Sequence, residues 1–221
     1  MTWPYHEDTS RIEALTLIGM LRCAITDRTR WAGIEPERQA ALVRQAALWA
    51  AEGIELIQLR EKDLSADALA HLAREMLKAI GSARTVLLVN SNVDAAVSAR
   101  AHGVHLTLKP GSPTPYEVVL RYAAAGLSRP LITISCHSLE EIERVRPFEP
   151  DAILFAPVFG KIVAGRTITP AAGLEALSAA CRAAAPIPVF ALGGVTQGRA
   201  RLCLDAGAAG IAGIRLFLNH G

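Results

Sequence analysis

Polar side chains collect where apolar, strand-like runs come to an end. The clearest case is Gln58-Leu59-Arg60-Glu61-Lys62. A strand repeats every two residues, so Gln58, Arg60 and Lys62 share one side. Three polar groups aimed into one space are costly unless a ligand or partner meets them. Two of the three are cations, which makes an anion the expected ligand. Lys161 and Arg215 extend this basic set, enough for more than one phosphate. Gly193-Gly194, with Gly213 further on, match the cradle that backbone N–H groups build for phosphate after the last two strands of a parallel barrel. The plainer reading of the two glycines is a tight strand–helix turn.

His137 could move protons, since an imidazole titrates near neutrality, or it could simply cap a helix or pack in the core. Cys136 beside it could be a nucleophile. Adjacent strand residues face opposite ways, however, so packing is the expected role of this thiol. His105 alternates with apolar neighbours and reads as a satisfied interior histidine. Asp27, in Thr26-Asp27-Arg28, could orient a substrate amine or pair with Arg60. Trp3, Trp31 and Trp49 read as packing residues.

These side chains need a scaffold of alternating elements. Apolar runs occur at residues 21–27, 55–60, 85–90, 103–107, 131–136, 152–158, 188–192 and 210–216. Near-continuous runs of this kind fit parallel strands covered on both faces. Between them lie helical patterns at 36–52, 66–80, 93–101, 114–125, 139–145, 171–184 and 197–206. Pro36 suits a first helical position, and Ser65, Ser138 and Thr196 suit N-caps. Gly53, Gly81, Gly103, Gly126 and Gly207 stand where helices should stop. Strand–helix alternation with short links gives βαβ units. Eight such strands predict a (β/α)8 TIM barrel, with functional groups at the C-terminal strand ends. One domain over 1–221 is expected. Residues 1–20 form an extra N-terminal segment, helical in part from Thr9 to Gly19. The chain stops a few residues after the last strand run, so the eighth outer helix is expected to be missing.

Composition narrows the function classes. A chain of 221 residues that is 51% hydrophobic is neither disordered nor short of core material. A formal net charge of +2 gives no field for nucleic acid. No apolar run reaches the roughly 18–20 residues of a membrane helix. Met1–Ser10 has no basic region, so no secretory signal is read there. The four cysteines, Cys23, Cys136, Cys181 and Cys203, are far apart and form neither a zinc nor a disulfide pattern. Reduced thiols in a cytoplasmic protein are expected.

Taken together, the landmarks resemble the thiamine phosphate synthase/TenI family of barrels, over nearly the whole chain from Leu21 to Phe217. They are Ala24-Ile25-Thr26-Asp27-Arg28, Gln58 to Lys62, Asn90 to Asp94, Gly103 to Leu106, Ser135 to Glu141, Ala156 to Phe159, Gly173-Leu174 and Ala191 to Val195. The resemblance implies a transferase of thiamine biosynthesis. Such an enzyme joins a hydroxymethylpyrimidine diphosphate to a thiazole phosphate and releases pyrophosphate. It implies that Gln58, Arg60, Lys62 and Asn90 bind the pyrimidine diphosphate. Ser135 would meet the departing pyrophosphate and Lys161 would supply a cation. Gly193, Gly194, Ile214 and Arg215 would hold the thiazole phosphate, and in a TenI-like tautomerase His137 would move protons. Phosphorylated small molecules are the implied partners, with a homodimer as the candidate assembly.

The sequence departs from that pattern at the metal positions. The family's Asn-Asp after the third strand is here Asn90-Ser91. The run after the fourth strand is Thr107-Leu108-Lys109-Pro110, without a carboxylate, and the strand-six loop reads Gly160-Lys161-Ile162-Val163. No protein ligand for a metal is identified. Any magnesium is expected to arrive with the diphosphate, and Lys62, Lys109 and Lys161 are candidates for the missing charge. The alternatives are a TenI-like thiazole tautomerase that works without metal, and a non-catalytic barrel that binds a phosphate ligand.

Overall fold

Apolar strands covered on both faces can close on themselves, and in the computed structural model they do. The structure describes residues 19–163 and 166–218. The barrel strands are β1 (Leu21–Ile25), β2 (Leu56–Leu59), β3 (Val86–Asn90), β4 (Gly103–Leu106), β5 (Leu131–Cys136), β6 (Ala152–Phe155), β9 (Val189–Ala191) and β10 (Gly210–Gly213). They run parallel in the closed order β1-β10-β9-β6-β5-β4-β3-β2, a (β/α)8 barrel. The outer helices are α1 (Glu35–Ala51), α2 (Ala66–Ile80), α3 (Val93–Ala99), α4 (Pro115–Ala124), α5 (Leu139–Val145), α6 (Gly173–Ala184) and α7 (Ala200–Asp205). Among the described residues, no helix is long and apolar enough to cross a membrane.

Alternation along each strand splits the core in two. Leu21, Cys23, Ile25, Leu56, Val86, Leu88, Leu154 and Phe190 fill the barrel interior. Ala24, Ile57, Leu59, Leu87, Val89, Ile134, Cys136 and Phe155 face the helices. The inward phase then continues into polar residues at the strand ends. Gln58 follows Leu56, Asn90 follows Leu88, and Ser135 follows Thr133. The sequence that builds the core therefore also aims the mouth.

Several local expectations are corrected. A two-stranded antiparallel ribbon, β7 (Lys161–Val163) with β8 (Arg166–Thr169), occupies what reads as a plain loop after β6. Gly103 does not end a helix. Arg100 takes the left-handed turn there at φ +56°, and Gly103 opens β4 beside Leu131. A Cβ on Gly103 would lie 1.9 Å from the Leu131 carbonyl oxygen, so close strand approach is its reason. Helix α1 starts at Glu35, ahead of Pro36. Thr196 makes no side-chain cap, because the chain first forms a 3₁₀ turn at Gln197–Arg199 before α7. Ser65 and Ser138 do cap, accepting from the N–H of Ala68 and Glu141 at 3.3 Å. The last strand stops at Gly213 rather than Leu216. No helix follows it among the described residues. The Trp49 indole N–H donates to the Phe217 carbonyl at 2.8 Å and ties this closing segment to α1. The expected helix from Thr9 to Gly19 falls almost wholly outside the described residues, as does Trp3.

The first two strand ends are locked by charge. Arg28 is buried in a 3₁₀ turn after β1. Its Nη1 donates to Glu61 Oε2 at 3.0 Å and its Nη2 to Asp63 Oδ2 at 2.6 Å. Its Nε donates to Glu35. Glu61 is buried as well, and also accepts from Thr26 Oγ1 at 2.6 Å. The Arg60 N–H donates to that same Thr26 hydroxyl at 2.9 Å. Removing one member of a buried ion pair leaves its partner's charge uncompensated, at a typical cost of about 3–5 kcal/mol. Arg28→Ala should lower the unfolding free energy by about that amount in urea titration. A loss below about 1 kcal/mol would mean that the pair carries no more than an exposed one.

Candidate functional site

The inward polar residues open into a chamber of about 1280 Å³ at the C-terminal end of the barrel. Gln58, Arg60, Lys62, Asn90, Ser135, His137 and Ile214 line it together, so most of the sequence-derived set shares one space. Leu192 and Ile25 supply its apolar wall.

Two polar groups at its base lack what they need. The Gln58 amide nitrogen is buried and has no hydrogen-bond partner. The half-buried Arg60 guanidinium has no carboxylate partner among the described residues, and Asp27 does not supply one. Asp27 Oδ1 instead accepts from the Thr29 hydroxyl at 2.6 Å. Lys62 and Lys109 stand at the exposed rim. Repulsion from Arg60, then burial, then repulsion from Lys109 hold the Lys62 ammonium below its usual range. An anion would relieve that repulsion.

His105 forms the floor. Its Nδ1 is 2.8 Å from Thr133 Oγ1 and its Nε2 is 2.8 Å from Ser135 Oγ. It is the interior, satisfied histidine that the alternation predicts. It also does something the sequence does not show, holding Ser135 in place at the chamber base. Burial, aided by the nearby Arg60 charge, pushes its pKa down to about 3, so the ring is neutral. The signal for this role is the pairing of His105 with Thr133 across β4 and β5, which needs the strand register.

His137 is exposed at the end of β5. Its Nδ1 lies 2.7 Å from the Ala156 carbonyl oxygen. A carbonyl only accepts, so Nδ1 carries a hydrogen, and Nε2 is the nitrogen left to meet a ligand. Ser138, not His137, caps α5, and core packing is likewise set aside. Cys136 faces the helices, fully buried, and burial pushes its thiol up to about 12. That thiol stays protonated, as packing requires.

The glycine loop is separate from this set. Gly193 and Gly194 turn at φ +93° and +66°. A Cβ on Gly194 would sit 2.7 Å from the Phe159 carbonyl oxygen. Arg199 stacks on the Phe159 ring at 4.7 Å and donates to the Gly194 carbonyl at 3.1 Å. These contacts fix the loop and support the tight-turn reading. Among the described residues, the N–H groups of Gly194 and Arg215 donate to no protein acceptor. Of the four residues assigned to this end, only Ile214 lines the chamber. Lys161 opens β7, in the ribbon after β6.

A divalent cation needs several hard oxygen ligands. The carboxylates on the chamber wall are already engaged. Glu61 is bonded to Arg28, and Asp94 pairs with Arg121 at 2.9 Å. Glu117 accepts from the Thr114 N–H at 2.6 Å, and Glu141 from the His137 N–H at 2.6 Å. Ser91 sits in the left-handed region at φ +59° and offers only a hydroxyl. No three His, Cys, Asp or Glu side chains come together as ligands among the described residues. The donor set does not fit a protein-held magnesium ion.

Fold and chamber define the class: a (β/α)8 barrel with a basic, open mouth at its C-terminal strand ends. Within that class the chain belongs to the thiamine monophosphate synthase family, whose model matches residues 23–217. A thiamine-phosphate synthase of Methanocella arvoryzae is 35% identical over 182 residues, 81% of this chain and 79% of that protein. One from Neisseria meningitidis serogroup B is 30% identical over 163 residues, 74% and 76% of the two chains. The solved thiamine phosphate pyrophosphorylase from Pyrococcus furiosus superposes with a TM-score of 0.67 at 26% identity, covering 89% of this chain and 86% of that one.

His105 makes stability depend on pH. Its folded pKa is depressed from 6.5 to about 3. Between those values the unfolded chain binds a proton that the folded chain does not. Stability is therefore full above about pH 6.5 and falls as pH drops, by up to about 1.4 kcal/mol per pH unit from this group. His105→Gln should show a shallower slope between pH 6 and pH 4 in urea titrations. Equal slopes would mean that the ring titrates normally.

Proposed function

We propose that this chamber joins a hydroxymethylpyrimidine diphosphate to a thiazole phosphate and releases pyrophosphate. The observation that carries this reading is the pair of uncommitted donors at the base, the Gln58 amide and the Arg60 guanidinium, in a chain of this family. In the reaction, the bond between the pyrimidine methylene carbon and the diphosphate oxygen breaks, and its electron pair leaves with pyrophosphate. The thiazole nitrogen lone pair then forms the new carbon–nitrogen bond. Charge develops on the leaving diphosphate, so preorganised cations and donors aimed there lower the barrier.

Arg60 and Lys62 meet that charge, and Lys161 is the further cation assigned to it. Gln58 and Asn90 orient the pyrimidine end. Ser135, set by His105, donates to the departing group. The thiazole phosphate takes the backbone amides of Gly194 and Arg215, beside Gly193 and Ile214. His137, which lines the same space, is assigned to proton movement through Nε2. The leaving group and the thiazole phosphate are thereby held by different loops of one mouth.

Turnover with both substrates tests the reading, followed as pyrophosphate release and coupled-product formation. A charge-assisted contact to an anion contributes about 1.5–3 kcal/mol. Arg60→Ala should therefore lower kcat/KM roughly 10- to 150-fold. Cys136→Ala, at a protonated packing thiol, should stay within about threefold. Equal losses would erase the separation of roles. Isomerisation of the thiazole phosphate without pyrophosphate release would replace this reading with the tautomerase.

A further inference from the structure

The chamber combines three features that no single residue explains. First, Arg60, Lys62 and Lys109 converge on it, and none is ion-paired among the described residues. Second, every carboxylate on its wall is bonded elsewhere, to Arg28, to Arg121 or to a backbone N–H. Third, the Gln58 amide nitrogen is buried in the base without an acceptor. Cations brought together without counter-charges repel one another, and buried donors without acceptors cost free energy. A single polyanionic group placed between them removes both costs. A divalent cation placed there would add to the repulsion and find no free carboxylate.

Lys109 is positioned for this by its loop. It follows β4, and its carbonyl accepts from the Ser112 N–H at 3.0 Å, which closes a turn at the chamber rim. Lys109 and Lys62 both line the chamber.

We propose that the chamber binds a diphosphate group directly through Arg60, Lys62, Lys109 and Gln58, without a divalent cation, and that Lys109 is a binding residue for that group. This deepens the synthase reading by assigning how its diphosphate is held. The geometry also makes a simpler demand that can be tested alone. Inorganic pyrophosphate should bind the full-length protein in the presence of EDTA.

Calorimetry with pyrophosphate in EDTA is the direct experiment, repeated with excess magnesium. The expected result is binding in EDTA, with Lys109→Gln raising Kd about tenfold. Lys109 is exposed, so this variant is expected to fold, and its circular dichroism and melting curve should match the parent. Lys78→Gln is the control for total charge. Lys78 pairs with Glu75 at 2.8 Å near the end of α2, at the opposite end of the barrel, and its variant should bind pyrophosphate like the parent. Binding that requires magnesium overturns the proposal, as does the absence of binding in both conditions. So does an unchanged Kd for Lys109→Gln, or an equal loss in the Lys78 control. If pyrophosphate binds in EDTA and depends on Lys109 while no coupled product forms, the metal-free diphosphate site stands and the synthase reading alone falls.

Discussion

The buried Arg28–Glu61 pair is the constraint on which the mouth of this barrel depends. Neither charge tolerates burial alone, so each must hold the other. Glu61 is trapped between two residues that face the chamber, Arg60 and Lys62. Its carboxylate is bonded to Thr26 and Arg28, so its anchoring holds the backbone between those two neighbours. The Thr26 hydroxyl completes the clamp, donating to Glu61 and accepting the Arg60 N–H. The backbone that presents Arg60 is thus bonded to the end of β1 before any ligand arrives. Preorganisation of this kind lets a cation act on developing charge without first being ordered.

The floor and the rim divide the electrostatic work. The floor holds polar groups whose bonds are already made, with a neutral His105 between two hydroxyls. Half-buried Arg60 stands above it, and Lys62 and Lys109 stand at the exposed edge. A charged imidazole at the floor would repel the nearby Arg60 with no counter-charge to offset it. Burial removes that option. The fold therefore concentrates positive charge where solvent can still reach it, which is where a charged ligand enters.

Much of this was legible from residues alone. The eight barrel strands could be read because parallel strands covered on both faces need unbroken apolar runs. The cluster of Gln58, Arg60 and Lys62 could be read because a period of two survives past the strand end. What stayed hidden depended on register or on distance in sequence. Arg28 and Glu61 are 33 residues apart, and only the β1–β2 pairing brings them together. The signal was an acidic residue set between two basic ones. The ribbon of β7 and β8 was read as a loop because each strand is only three or four residues long. Gly103 was misread because a glycine after a helix looks like a stop, whereas its neighbour across the sheet sets the requirement.

The Thr133–His105–Ser135 chain has a consequence of its own. A neutral imidazole can carry its proton on either nitrogen, and both of its nitrogens are occupied by hydroxyls here. With the proton on Nδ1, the ring donates to Thr133 and accepts from Ser135, whose oxygen then shows only lone pairs to the chamber. With the proton on Nε2, the ring donates to Ser135, and the serine hydrogen is free to point outward. An anion above the floor favours the second arrangement and a hydrogen-bond donor favours the first. The floor can thus reverse its hydrogen-bonding polarity by moving one proton within a ring, with no change in net charge and no motion of the backbone.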